Sequence, residues 1–309
     1  MISSIFSKTK PINFIILMVF LFLFYGSVQF YFFDQGISDL NLGSNLLIII
    51  TLLFSVFIVD FIIKRNKLTG TNAFGILYFT LLFVVFPETL KDGDAIFSNF
   101  FLLLAIRRLL SIKSLKDIKF KIFDAGLWIC VSSIFNEWSI LYILLVFAAI
   151  YIYEPKNIRN WLVMLSVGFC FMSLLYAILI LTDNTEFLKS HYDFTIRFEI
   201  LDPSNWWSSL KLSVYVIINV VLAFWTFLRL NKGGVGKVVV MRLIALYFVI
   251  GLLVNLLVSS TVTNAVVFTF FPSVIFIVNY LESLKKPKVL ELLLIASIVV
   301  PLVVYFAKL

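Results

Sequence analysis

Runs of about twenty apolar residues recur from one end of this sequence to the other, and nothing else restricts its fold as much. In hydrocarbon every backbone N–H and C=O must find a partner within the chain, so only helices or a closed barrel can span it. Barrel strands alternate polar and apolar residues over about ten positions. The stretch "NFIILMVFLFLFYGSVQFYFF" does not alternate. The expectation is an all-α, polytopic transmembrane bundle. Eleven apolar segments can be drawn: 12–33, 44–63, 73–86, 95–110, 125–136, 138–153, 161–182, 210–228, 238–258, 265–281 and 289–307. Composition agrees, with 62% hydrophobic and 14% charged residues where soluble domains carry about a quarter charged.

If each segment crosses once, the connections alternate sides, and the basic residues separate. One set holds Lys8 and Lys10; Lys64, Arg65 and Lys67; Arg107, Arg108, Lys113, Lys116, Lys119 and Lys121; Lys156 and Arg159; Arg229, Lys232, Lys237 and Arg242; Lys285, Lys286 and Lys288. The other holds only Lys91, Lys189, Arg197, Lys211 and Lys308. The positive-inside rule then places the N-terminus in the cytoplasm and the C-terminus outside. The net charge of +8 is thereby a topology signal, which removes the need for a nucleic-acid partner. Acids gather on the outer side: Asp34, Asp39, Glu88, Asp92, Asp94, Glu137, Asp183, Glu186, Asp193, Glu199 and Asp202, with the single histidine, His191.

Residues 1–309 read as one integral membrane domain, with C-terminal spans over 161–309 and a long outer loop over 183–209. Lys8 and Lys10 precede the first apolar run without a small-x-small cleavage pattern, so an uncleaved first span is expected. Cys130 and Cys170 lie inside apolar segments and are expected as free thiols. The segments 73–86 and the pair 125–136 and 138–153 are short. Fourteen residues make about 21 Å of helix against about 30 Å of hydrocarbon, so Glu88 and Glu137 are expected below the outer headgroups. In "SIKSLKDIKFKIFDA", Ile112, Leu115, Ile118 and Ile122 recur opposite lysines, which predicts a basic amphipathic helix on the cytoplasmic face. "NKGGVGKVVV" fails the phosphate-loop pattern, since Asn231 and Val238 stand where Gly and Ser/Thr are required; it reads as a turn. Trp206 and Trp207 read as an interfacial anchor.

The stretch "VFPETLKDGDAIF" raises the sharpest functional question. Glu88, Asp92 and Asp94 crowd into seven residues with only Lys91 nearby. A solvated turn needs polar residues, but carboxylates repel one another where the dielectric is low, and a cation relieves that. Glu88 and Asp34 are the candidate catalytic acids. Asp92 and Asp94 are candidate ligands of a divalent cation. Lys91, Glu137, His191 and Arg197 are candidate substrate-binding residues. A turn residue at Glu137 and a solvated loop histidine at His191 remain open alternatives.

The order of elements in residues 1–160 resembles the GT-C glycosyltransferases, multi-spanning enzymes that take sugars from polyprenyl-phosphate carriers. The resemblance rests on "FDQGISD" after the first span, on "FPETLKDGDAIFSNFFLLLAIRRL", and on the hairpin "AGLWICVSSIFNEWSILYILL". It implies catalysis at the outer face with Asp34 as general base or metal ligand, and Lys91 or Arg197 on the carrier phosphate. The whole chain also looks like an uncharacterised family of Bacteroidota inner-membrane proteins, through "MISSIFSKTKPINFIIL", "FPETL" and "SNFFLLLAIRRL". That likeness implies a bacterial inner-membrane location and no activity. Two functions stay open: a GT-C-like glycosyltransferase acting on a lipid-linked sugar, and a non-catalytic subunit or assembly factor working with other envelope proteins. A transporter is a third, weakened by the scarcity of broken span pairs.

Overall fold

The computed structural model describes residues 2–32, 42–194, 206–230, 235–257 and 265–306, and among them all regular structure is helical. The helices are α1 (Ile2–Phe6), α2 (Pro11–Ser27), α3 (Leu42–Asn66), α4 (Phe74–Val85), α5 (Gly93–Leu110), α6 (Ile118–Ser133), α7 (Ile143–Tyr153), α8 (Ile158–Leu181), α9 (Phe187–His191), α10 (Trp206–Leu230), α11 (Val235–Leu257), α12 (Phe270–Glu282) and α13 (Pro287–Phe306). Among the described residues, each of the eleven apolar segments lies mostly on helix. Eight stretches are long and apolar enough to cross a membrane: Pro11–Phe30, Gly43–Asn66, Gly93–Ser114, Ile158–Leu181, Leu210–Leu230, Gly236–Leu257, Ala265–Glu282 and Pro287–Phe306. The protein is a multi-pass membrane protein.

The remaining three segments are the short ones. α4 has 12 residues, about 18 Å of helix. Every residue from Phe74 to Val84 is buried, against α3, α12, α13 and α2. A helix enclosed by protein has no lipid to match, so its length is free. α6 begins at Ile118, well before the expected 125. That early start corrects the amphipathic-helix expectation for 112–122. Leu115 and Asp117 take left-handed backbone (φ 54° and 50°), which separates a short 3₁₀ turn at Ser111–Ser114 from α6. Ile112 and Ile122 are buried, while Leu115 between them is exposed. The segment is a bend into a packed helix, not a helix lying along the surface.

The bundle has two chemically distinct ends. At one, the Ser3 N–H donates to Glu291 (3.1 Å), Ala73 N–H to the Phe6 carbonyl (2.9 Å), and Gly70 N–H to Glu282 (2.8 Å). Lys113 lies at this end too, near Arg65 and Lys67. This is the basic end. At the other end Gln29, in the π-helical turn Val28–Phe32 that closes α2, donates to the Leu90 carbonyl (3.2 Å), and Ser27 lies 3.2 Å from the Tyr305 hydroxyl. This is the acidic end, where three 3₁₀ segments, Pro87–Leu90, Glu137–Tyr142 and Ala265–Thr269, meet the helices. Gly251 of α11 permits that meeting. A Cβ there would sit 2.9 Å from the Tyr142 hydroxyl, 3.0 Å from Thr269 and 3.5 Å from the Phe268 backbone. Both cysteines are free, Cys130 buried and Cys170 half-buried.

Candidate functional site at the acidic end

Pro87 fixes φ for the first residue of a tight 3₁₀ turn, and the turn projects Glu88 sideways toward α10. Lys211, in the second turn of α10, places its Nζ 2.9 Å from each Glu88 carboxylate oxygen. The same ammonium lies 4.8 Å over the Phe86 ring. The pair is part-buried, with the side chains 22% and 30% exposed, so it is better shielded than an ordinary surface pair and more firmly held. Phe86 meets Tyr215 edge-on at 5.0 Å, one turn of α10 deeper. Tyr215 sits between Thr269 (2.9 Å) and Ser273 (2.6 Å). Thr269 spends its proton on the Val266 carbonyl (2.7 Å), so the phenol donates to Thr269 and accepts from Ser273. A polar seam therefore runs inward from Glu88 through Lys211 and Tyr215 to the 265–273 segment.

The crowded carboxylates meet different partners. Asp92 is the N-cap of α5 and accepts from the Ala95 N–H at 2.9 Å, satisfying one of the orphan donors of that helix. Asp94 is exposed in the first turn of α5, where a negative charge suits the helix dipole. Lys91 is exposed, and its N–H closes the 3₁₀ turn on the Glu88 carbonyl (3.3 Å). Among the described residues no group of three or more His, Cys, Asp or Glu could hold a metal ion. Asp34 and Arg197 lie outside the described residues, as do the side chains of Trp206 and Trp207 and the whole of "NKGG".

Glu137 and His191 belong to a second cluster at the same end. Glu137 is half-buried and opens the 3₁₀ segment after α6. His191 Nε2 is 2.8 Å from the Ser133 carbonyl; a carbonyl only accepts, so that nitrogen carries the proton. The ring stacks on Phe187 at 4.7 Å. Ser133 gives its own proton to the Cys130 carbonyl (2.7 Å), so the Tyr192 hydroxyl donates to Ser133 (3.0 Å). Burial raises the Tyr192 pKa; the Ser133 bond opposes that, and Cys130 and Glu137 add to it. His191 and Tyr192 thus fasten the start of the long loop to the end of α6, satisfying a helix-terminal carbonyl.

Sequence reasoning missed Lys211 as the partner of Glu88. Its position just inside a span, one turn beyond Trp206 and Trp207, was the available signal, but 123 residues separate the two. It also missed Gln29, which holds the chain leading into the Asp34 loop against the 88–94 turn. A family model described as a family of unknown function (DUF6427) matches residues 1–309. No curated protein and no solved structure matches the chain.

Proposed function

The chain belongs to DUF6427, and from that premise we propose that it is a non-catalytic membrane subunit or assembly factor of a bacterial envelope complex. It sits in the inner membrane as one body, residues 1–309, with the N-terminus in the cytoplasm and the C-terminus outside. The observation that carries this reading is the Glu88–Lys211 pair. The acid with the strongest claim to chemistry is already neutralised by a lysine from a distant helix, and Asp92 is committed to a cap. Acids used this way hold α5, α10 and the 87–90 turn in register. The exposed apolar lengths of α8, α10 and α13 then offer surface to lipid and to neighbouring envelope proteins.

A second reading has an observation of its own. Gln29 ties the segment leading into Asp34 to the acidic turn, as a site shared by Asp34 and Glu88 requires. On that reading the protein is a GT-C-like glycosyltransferase at the outer face. Asp34 and Glu88 are its acids, with a divalent cation drawing on Asp92 and Asp94. Lys91 and Arg197 face the phosphate of a polyprenyl carrier, with Glu137 and His191 at its rim.

Charge reversal separates the two. Glu88→Lys and Lys211→Glu are made singly and together, with two readouts: the unfolding midpoint of purified protein, and complementation of a deletion strain. A structural pair loses both readouts in either single reversal and regains both in the swap. A substrate-binding pair regains the midpoint but not complementation. Asp34→Asn adds an independent arm, retained for a scaffold and lost for an enzyme. A swap that restores neither readout removes the observation on which the scaffold reading rests.

A further inference from the structure

At the basic end, far from the ion pair, α10, α11 and α12 border a half-open cavity of about 210 Å³. Among the described residues its walls carry two cations. Arg229 of α10 lies 4.8 Å over the Trp225 ring and donates to the Ser283 carbonyl at 3.4 Å. The Trp225 indole N–H in turn reaches Ser283 Oγ at 3.4 Å. These contacts hold a planar guanidinium at the cavity with most of its five donors left to offer. Lys237 comes from the first turn of α11, where its charge and the positive end of the helix dipole both attract an anion. The acid in the lining, Glu282, turns its Oε1 toward the Gly70 N–H (2.8 Å) and the Asn72 amide (2.5 Å), and Asn279 spends its amide on the Leu68 and Ile275 carbonyls. The cavity is therefore cationic, and it is smaller than the roughly 300–1,000 Å³ of a drug-sized site.

The surface beside it is apolar. Val221, Phe224 and Leu228 form an exposed stripe along α10 that leads toward Arg229, and only 17% of the α10 span is buried by protein. An acyl chain and a headgroup phosphate are thus offered adjoining sites. We propose that this cavity binds the phosphate of an anionic phospholipid, with its acyl chains along Val221, Phe224 and Leu228. Basic pockets between spans suit such headgroups in general. Here the combination of an arginine held against Trp225 and Ser283, a lysine at a helix N-terminus and an adjoining apolar stripe selects a lipid over a free phosphate.

The test is lipid retention by the full-length protein, read by native mass spectrometry after delipidation and titration with phosphatidylglycerol or phosphatidylcholine. Wild type is expected to retain one phosphatidylglycerol in preference to phosphatidylcholine. Arg229→Ala lowers that retention about fivefold, and Arg229→Ala with Lys237→Ala about thirtyfold. Lys285→Ala with Lys286→Ala, just outside the cavity, leaves it unchanged. Lys237→Glu changes an exposed side chain, so it keeps the question open to refutation if the double variant misfolds; it too must lose retention severalfold. Equal retention in the cavity variants overturns the proposal. So does an equal loss in the 285–286 control, which would indicate diffuse charge. Displacement of the lipid by millimolar inorganic phosphate overturns the lipid assignment in favour of a free phosphate.

Discussion

The Ala265–Glu282 stretch and α13 are neighbours in sequence and similar in length, yet they occupy opposite environments. The first has a mean hydropathy of 1.7 and is 78% buried by protein; the second, Pro287–Phe306, has a mean hydropathy of 2.6 and is 11% buried. The more hydrophobic helix is the one the protein leaves uncovered. In water that order would be reversed. In a bilayer the tails are as apolar as leucine, so hydrophobicity inserts a helix without drawing it into the core, and packing and polar contacts decide what sits inside. The inner stretch carries Thr269 and Ser273, which satisfy Tyr215, and Phe270, whose ring meets Phe83 edge-on at 5.1 Å. α13 packs on α4 and α1 along one side, with Leu294 buried and few polar tethers. Ser297 pairs with Tyr78 (2.9 Å), and Tyr305 lies against Ser27 and Phe24. The trend has an exception in α10, whose span has a mean hydropathy of 1.9 and is 17% buried. Its Lys211 and Tyr215 are engaged at the ion pair and the seam, while Arg229 lies at the cavity of the basic end.

A matched pair of substitutions tests the contrast most directly. Phe271 is 0% exposed in α12 and Phe306 is 65% exposed in α13. Phe271→Ala is expected to cost about 3–5 kcal/mol, on the scale of aromatic truncation in close-packed interiors. Phe306→Ala is expected to stay within about 0.5 kcal/mol. Reversible unfolding in detergent or bicelles measures both, and similar costs would break the comparison. Gly251→Ala comes next, since its Cβ would meet both the Tyr142 hydroxyl and the 268–269 segment; an expected loss of about 1–3 kcal/mol would show that the close approach of α11 matters. The Glu88→Gln and Lys211→Met cycle is expected to give a coupling near 1 kcal/mol, because the pair is only part-buried; additivity within error would remove its structural role. The smallest effect is expected for Tyr78→Phe, which removes the Ser297 tether of α13 and should cost about 0.6 kcal/mol. A cost several times larger would mean that α13 depends on that one contact.

The sequence by itself determined that this chain is helical and membrane-spanning, and eight of the apolar segments it marked coincide with helices long enough to cross a membrane. Those conclusions need only local pattern and the rule that backbone polar groups in lipid must be paired within the helix. It also showed which segments are short, and that α4 is among them. Periodicity did not foresee the bend at Leu115 and Asp117, because the same spacing of isoleucines serves a surface helix and a packed one. The tertiary structure alone decided the roles of the charges. Sequence placed Glu88, Asp92 and Asp94 side by side, and their proximity along the chain suggested a shared cation. Folding brings Lys211 to Glu88 and sets Asp92 at its own helix end, partners that the local pattern did not name. Electrostatic partners are set by distance in space, and no local pattern records that α10 packs beside a turn formed more than a hundred residues earlier.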